Sequence, residues 1–301
     1  MNAAVSDSYA KFLGELESGF QQLPDKPEET ASATLAALAQ LAAGRQLSVI
    51  AAASEPLPVL DANAQRHLGS LITQRLSGVP LAHLTERQRF MGLELLAGPE
   101  ALIPRHETEL LAGAAIAKAT ELAKGQPTLL AVDVCTGSGN VALAVAHHVP
   151  TARVFAADLS ESAVALARRN AELLGLTPRV TLAAGDLLAP FDNAEFHGKV
   201  DVLSCNPPYI STGKLETMPT EIIGFEPSLA FDGGPLGIRI IQKLITEAPK
   251  FLRSGGWLCF EVGLGQGTPV KNRVIKSGHF EDVETVNDSR GDPRAIVARR
   301  K

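Results

Sequence analysis

From Leu129 onward, short apolar runs alternate with stretches of helical periodicity, and no other feature restricts the fold of this chain so strongly. The runs at 129–135, 153–157, 180–184, 200–205, 257–262, 280–286 and 294–298 have the length and apolar character of strands. Helical stretches lie between most of them. Strands joined through helices cannot close as hairpins and instead wind a mainly parallel sheet with helices packed on it. The last two runs are joined only by the turn-rich segment 287–292. They are therefore expected to pair antiparallel. The fold class that follows is α/β: a doubly wound, mainly parallel seven-stranded sheet with an antiparallel C-terminal strand pair.

The part before this sheet has a different character. Residues 9–20 fit a short amphipathic helix, and 24–29 form a polar, turn-prone run. Residues 34–43 and 62–76 repeat apolar positions at helical spacing, interrupted by Gly44 and by Pro56 and Pro58. Residues 1–86 are expected to form a small helical domain that recognises the substrate, since no titratable cluster stands out in it. Two apolar segments, 89–96 and 101–103, flank Gly98-Pro99-Glu100, which predicts a β-hairpin linker over 87–104. Residues 105–301 then carry the chemistry. They open with Arg105, placed to face a central cleft, and a helix running to about Lys124. Glu107 and Glu109 are expected in its first turn, where the helix dipole favours acids.

Composition sets bounds on partners and compartment. The chain has 301 residues and a net charge of -5, with a pI near 5.8. That balance shows no basic footprint of the kind a duplex-binding protein carries, and it weighs against nucleic acid as the substrate. Cys135, Cys205 and Cys259 are widely spaced within apolar runs, with no paired or zinc-type spacing. They read as free thiols in a reducing cytoplasm. Acidic residues stand early in the chain, which is unlike a signal peptide. No stretch has the ~18 apolar residues of a spanning helix, so no membrane partner is expected.

Ligand-type residues recur at the ends of successive strands. The first strand leads into Asp133-Val134-Cys135-Thr136-Gly137-Ser138-Gly139-Asn140 and then an apolar helix. Glycines at such a bend let the backbone approach a ligand that a Cβ would exclude. The spacing is neither that of the dinucleotide loop nor that of the Walker loop. A compact nucleoside suits it better. The second strand ends at Asp158-Leu159, about 20 residues beyond the glycines, where an acid accepts hydrogen bonds from both ribose hydroxyls. The third ends in Gly185-Asp186-Leu187, offering an acceptor and an apolar wall to an adenine. The fourth ends in Asn206-Pro207-Pro208-Tyr209. Two successive prolines fix the backbone and remove two N–H donors. Fixed carbonyl acceptors beside an aromatic face can hold a planar NH2 group and stack on its π-system.

The order of these motifs resembles that of the class I S-adenosylmethionine-dependent methyltransferases, and Asn-Pro-Pro-Tyr resembles the subset acting on planar nitrogens. Further segments are similar to the protein-glutamine N5-methyltransferase family: Pro80 to Thr85, Phe90 and Gly92, Ile103 to Glu109, Phe225-Glu226-Pro227, Asp232-Gly233-Gly234 and Gly237. The likeness extends from roughly residue 35 to the end. It implies a Rossmann-like fold and S-adenosyl-L-methionine as the methyl donor, with S-adenosylhomocysteine as product. Asp133, Thr136, Gly137, Ser138, Gly139, Asn140, Asp158, Leu159, Asp186, Leu187 and Asn206 would contact the donor. Asn206 and Pro207 would hold the acceptor amide, with Pro208, Tyr209 and Arg105 beside it. The implied acceptor is the Gly-Gly-Gln loop of class I peptide release factors. A ribosomal-protein glutamine, a small molecule, or an adenine amino group in nucleic acid are the alternatives. His106, Glu107 and Leu187 depart from the release-factor pattern, which has proline, aspartate and often an aromatic at those places.

Overall fold

The computed structural model describes residues 3–215 and 220–301 of the chain. In chain order the elements are α1 (Ala3–Gly19), α2 (Ala31–Ala42), α3 (Val49–Ala53), α4 (Ala62–Leu76), α5 (Leu81–Thr85), β1 (Arg87–Phe90), β2 (Leu93–Leu96), α6 (Thr108–Ala123), β3 (Leu129–Val134), α7 (Asn140–His148), β4 (Ala152–Asp158), α8 (Glu161–Leu173), β5 (Val180–Ala184), β6 (Val200–Cys205), α9 (Thr212–Leu215), α10 (Thr220–Ile223), α11 (Arg239–Phe251), β7 (Leu252–Glu261), α12 (Gly267–Lys276), β8 (Phe280–Asn287) and β9 (Pro293–Arg300). They sort into two compact units.

The first unit holds the residues up to Pro99, Ile103–Arg105 and a segment ending at Glu226. Its helices start where the sequence supplies caps. Thr30 accepts from the Ala33 N–H at the start of α2, and Asp61 accepts from the Asn63 and Ala64 N–H groups at the start of α4, satisfying donors that the helix itself cannot. Leu16, Leu38, Leu68, Ile72 and Leu81 close the core between them. Beside that core lies a buried ion network that composition did not announce. Arg75 binds Glu29 at 2.9 Å and Glu221 at 2.9 Å, and Lys26 binds Glu221 at 2.6 Å. Burial pushes the Glu29 carboxyl upward, against the pull of Lys26 and Arg75. The first two residues of the expected 1–86 helical domain lie outside the described residues.

The hairpin falls within 87–96, not between 89–96 and 101–103. Phe90 stands opposite Leu93, and the turn residues Met91 and Gly92 have φ of 48° and 83°. Positive φ at both central residues is the type I′ turn, whose twist matches that of the strands it joins. Gly92 supplied that signal but sat inside an apolar run, while Gly98-Pro99 drew the turn elsewhere.

The second unit is the expected sheet. Its strand order is β5-β4-β3-β6-β7-β9-β8. β3 pairs parallel with β4 and β6, β4 with β5, and β6 with β7. β9 runs antiparallel to both β7 and β8. Central strands buried on both faces read as continuous apolar runs: Val132, Val134, Leu203, Cys205, Leu258 and Phe260 are all fully buried. The chain leaves β3 toward β4 on one side, and β6 lies on the other. The strand order therefore reverses beside β3, and open α/β sheets bind ligands in the crevice beyond the carboxyl ends at such a point.

Candidate active site

Register decides which loops share that crevice. Val134 pairs with Ala157 on one side and with Cys205 on the other, and Asp158 pairs with Ala184. The tips of β3, β4, β5 and β6 are therefore level. The 135–140 loop, Asp158, Asp186 and Asn206 leave the same rim, adjacent strands being ~4.8 Å apart.

At the tip of β3, Asp133 is buried and does not face the rim. Its two oxygens accept from the Thr136 and Ser204 hydroxyls, each at 2.6 Å. Burial is the dominant influence on its carboxyl, which is pushed up to about 6 against the pull of these two bonds. Asp133 thus ties the loop to β6. Thr136 and Ser138 are buried too, and the Ser138 carbonyl accepts from Asn170 Nδ2 of α8 at 3.0 Å. What the loop offers outward is backbone. Gly137 has φ +54°, and a Cβ there would have only Ala101 near it, at 4.0 Å. Gly139 caps α7 at φ +82°, and a Cβ there would meet Ala167 Cβ at 3.1 Å. The first glycine leaves room for a ligand, and the second lets α8 pack close. Asn140 opens α7 at the rim.

Asp158 accepts from the Gly137 N–H at 2.8 Å and the Ser160 N–H at 2.9 Å, one bond to each oxygen. Burial raises its carboxyl, offset by these amides and that of Leu159. Each carboxylate oxygen can take a second bond, which leaves places for a pair of hydroxyls. Asp186 is paired with Lys243 Nζ at 2.5 Å, a partner on α11 that no motif pointed to. Leu187 corrects an expectation. Its left-handed backbone, φ 48°, sends the side chain into the core, 4% exposed. The apolar side chain standing free at this rim is Leu159, 57% exposed.

The tetrapeptide after β6 is held from several directions. Asn206 Nδ2 donates to Thr108 Oγ1 at 3.2 Å, which leaves Oδ1 as the amide's free end. Tyr209 Oη donates to Glu261 Oε1 at 3.0 Å. Burial dominates at both groups. It sends the phenol well above its ordinary range and Glu261 up to about 7. Behind the tetrapeptide, Gln266 Nε2 donates to the Tyr209 carbonyl at 3.0 Å while its Oε1 accepts from the Gly263 N–H at 2.9 Å. A Cβ at Gly233 would come 2.7 Å from the Pro208 carbonyl, and one at Gly263 would come 2.9 Å from the Tyr209 ring. Backbone packs on backbone here, with no room for side chains. Asp232-Gly233-Gly234, Gly237 and Thr108 were visible only as a family pattern, and Gln266 carried no signal at all.

Glu107 precedes α6 and makes no side-chain cap. Its carboxylate pairs with Arg294 of β9. Arg105 belongs to the first unit, where its guanidinium is paired with Glu226 at 2.5 Å and Asp25 at 3.1 Å. Among the described residues no group of His, Cys, Asp and Glu could hold a metal ion.

A parallel sheet whose strand order reverses beside the glycine loop, and whose β9 inserts antiparallel next to β7, is the sheet of the class I methyltransferases, and this chain is an S-adenosylmethionine-dependent methyltransferase. A family model described as "Methyltransferase domain" matches residues 131–222. The release factor glutamine methyltransferase of Moorella thermoacetica is 39% identical over 230 residues, spanning 76% of this chain and 78% of that protein. Its counterpart from Geobacter sulfurreducens is 37% identical over 229 residues, 76% of each chain. The chain belongs to the release factor glutamine methyltransferase family. Among solved structures, the hMettl16 catalytic domain in complex with a MAT2A 3'UTR hairpin shares the fold, with a TM-score of 0.53 at 15% identity over 79% of this chain and 80% of that one.

Proposed function

We propose that this protein methylates the side-chain amide nitrogen, N5, of the glutamine in the Gly-Gly-Gln loop of peptide chain release factors, using S-adenosylmethionine as donor. One observation carries the proposal. Asn206 donates its own NH2 inward to Thr108, so the atom it offers at the rim is an acceptor, as a substrate NH2 requires. The two curated relatives described above support the acceptor's identity by their names.

The donor, when bound, supplies a methyl group already activated on a sulfonium, so the protein need not build an electrophile. The chain's own residues bind and aim. Gly137 brings backbone close to the donor, Asp158 accepts from its ribose hydroxyls, and the Asp186–Leu187 turn and Leu159 border its base. Asn206 Oδ1 and the Pro207 carbonyl accept the two N–H bonds of the substrate amide. Pro208 and Tyr209 pack against the amide plane. An amide nitrogen is a poor nucleophile because its lone pair is delocalised. Holding it in a fixed attitude toward the methyl is the main catalytic contribution. The alkylated nitrogen is acidic and releases its proton late, so no strong base is assigned. His147 and His148 end α7, and His197 binds Asp192 at 2.6 Å.

In this reading residues 1–86 recognise the release factor, 87–104 connect, and 105–301 perform the transfer. The setting is the cytoplasm, where release factors act; no described helix is long and apolar enough to cross a membrane. The test uses labelled donor with an intact release factor and with one whose loop glutamine is replaced. Label on the first alone is expected, and label persisting on the second rejects the site. Asn206→Ala should abolish transfer while donor affinity stays within about tenfold, roughly 1.4 kcal/mol.

A further inference from the structure

A tetrapeptide with two prolines has few ways to fix its own backbone. Pro207 and Pro208 have no N–H to give, so the placing of this segment depends on what its carbonyls and side chains meet. At one end Asn206 is tied through its side chain to Thr108. At the other end the Tyr209 carbonyl accepts from Gln266 Nε2 at 3.0 Å. The same NH2 group reaches the Gly237 carbonyl at 3.3 Å, and Gln266 Oε1 accepts from the Gly263 N–H at 2.9 Å. One side chain thus joins the segment after β6, the segment before α11 and the segment after β7.

An amide turned end for end changes shape very little, so its neighbours decide which end is which. Around Gln266 the three neighbours agree. Two carbonyls face the NH2, and an N–H faces the oxygen. A turned amide would set its oxygen against both carbonyls and its NH2 against an N–H. The stem is fixed as well. The Gln266 N–H donates to the Gly263 carbonyl at 3.0 Å, and the Gln266 carbonyl accepts from the Val270 N–H at 3.0 Å, in the first turn of α12. A Cβ at Gly237 would lie 3.0 Å from Nε2, and one at Gly263 would lie 3.0 Å from Oε1. The amide fills a slot that exists because both positions are glycine.

We propose that Gln266 is a positioning residue for methyl transfer: through the Tyr209 carbonyl it holds the tetrapeptide so that Asn206 Oδ1 and the Pro207 carbonyl stay aimed at the substrate amide. This rests on the reading that those two groups receive the amide. The position calls for a donor and not only for bulk. A carboxylate of the same size can only accept, and would set a negative oxygen against the two carbonyls that the NH2 now satisfies. An apolar side chain would leave both carbonyls without that partner. In either case the tetrapeptide loses the bond that fixes its C-terminal end, while Asp158 and the glycine loop keep theirs.

The test compares Gln266→Met and Gln266→Glu with the parent enzyme. The first keeps the volume and loses every bond; the second keeps an acceptor for the Gly263 N–H and loses the donors. Both should slow single-turnover transfer to a release factor by about 10- to 100-fold, the scale of a reacting group displaced by up to ~1 Å. Affinity for S-adenosylmethionine, by calorimetry, should stay within about threefold of the parent on the same argument. Gln266→Glu should be the slower of the two, because its carboxylate opposes carbonyls that methionine only leaves unpaired. Parent-like transfer by either variant overturns the proposal. So does a Gln266→Glu enzyme no slower than Gln266→Met, which would show that the NH2 is not what matters. Donor affinity lost in step with the rate also overturns it, since the support would then be of the whole fold. A second readout needs no acceptor protein. The chain has two tyrosines, so protein labelled with 13C at the tyrosine carbonyls gives two signals, those of Tyr9 and Tyr209. The Tyr209 signal should move in both variants while the Tyr9 signal stays. An unmoved Tyr209 signal overturns the inference whatever the acceptor. Parent-rate transfer by Asn206→Ala, with a Tyr209 signal that does move in the Gln266 variants, instead defeats the underlying reading of the site.

Discussion

Gly237→Ala probes the support of the tetrapeptide without touching the donor loop. Gly237 has φ +68°, and a residue with a Cβ is strained in that region by about 1–2 kcal/mol. The added Cβ would overlap the Tyr209 carbonyl oxygen, and would lie 3.0 Å from Gln266 Nε2 and 3.1 Å from the Ser211 nitrogen. Gln266 can swing away, but only by giving up its bond to the Tyr209 carbonyl. The other two neighbours are backbone and can move only with the chain. Overpacking of this kind costs about 1–3 kcal/mol, so the two effects together remove about 2–5 kcal/mol of stability. The least costly relaxation shifts 208–211 away from residue 237. A displacement of about 1 Å at reacting groups costs roughly 100-fold in rate, near 2.7 kcal/mol. Urea unfolding gives the stability, calorimetry the affinity for S-adenosylmethionine, and single-turnover transfer the rate. The expected result is a folded, destabilised enzyme with transfer down about 100-fold and donor affinity within about threefold, by the same misplacement argument. A destabilised variant that transfers at the parent rate would show that the glycine serves folding alone. Equal losses in transfer and donor affinity would show that the two halves of the rim are not separate.

Other substitutions distinguish the remaining roles. Asp158→Ala should weaken donor binding by about 10- to 100-fold, the loss of one or two hydrogen bonds to a charged group at about 1.5–3 kcal/mol; calorimetry showing unchanged affinity would remove Asp158 from the donor site. Gly139→Ala meets φ +82° and a neighbour at 3.1 Å, so it should lower both stability and donor affinity, as thermal melts with and without donor would show. Asp133 gives a pH dependence of definite sign. Its carboxyl holds a proton up to about 6 in the folded chain, against an ordinary value near 3.9. The folded state therefore binds that proton more tightly, and stability from this group falls as the pH rises from about 4 to about 6 and stays low above. Urea midpoints of Asp133→Asn should lack this falling limb. A difference between parent and variant that is constant across the window would contradict the assignment.

How much of this could be read from residues alone depended on distance along the chain. The sheet was legible because each strand announces itself locally: an apolar run of strand length, ended by Gly, Asp or Asn. Tip residues such as Asp158 and Asn206 were legible for the same reason, since a strand's end fixes where the next residue stands. What a side chain does at that place was less so. Asp133 and Asp158 both sit at strand tips, yet the first turns inward to Thr136 and Ser204 and the second toward the Gly137 amide. Alternation along a strand separates the faces of a sheet, but at its end the loop decides. Leu187 follows the strand by three residues, in a left-handed backbone, and its side chain packs in the core, a direction that its apolar character alone did not disclose.

The parts that could not be read are those made by long-range contact. Thr108 lies 98 residues from Asn206, and Glu261 lies 52 from Tyr209. Arg294 and Glu107 are separated by 187. Nothing local in the sequence joins either member of these pairs to the other. The same holds for Gly233, Gly237 and Gly263, whose meaning is the carbonyl or ring pressed against them. The tetrapeptide could therefore be recognised from its own residues, while the direction in which its asparagine points could not. An amide is nearly symmetric in shape, and only a neighbour with fixed hydrogen-bonding character can choose between its two ends.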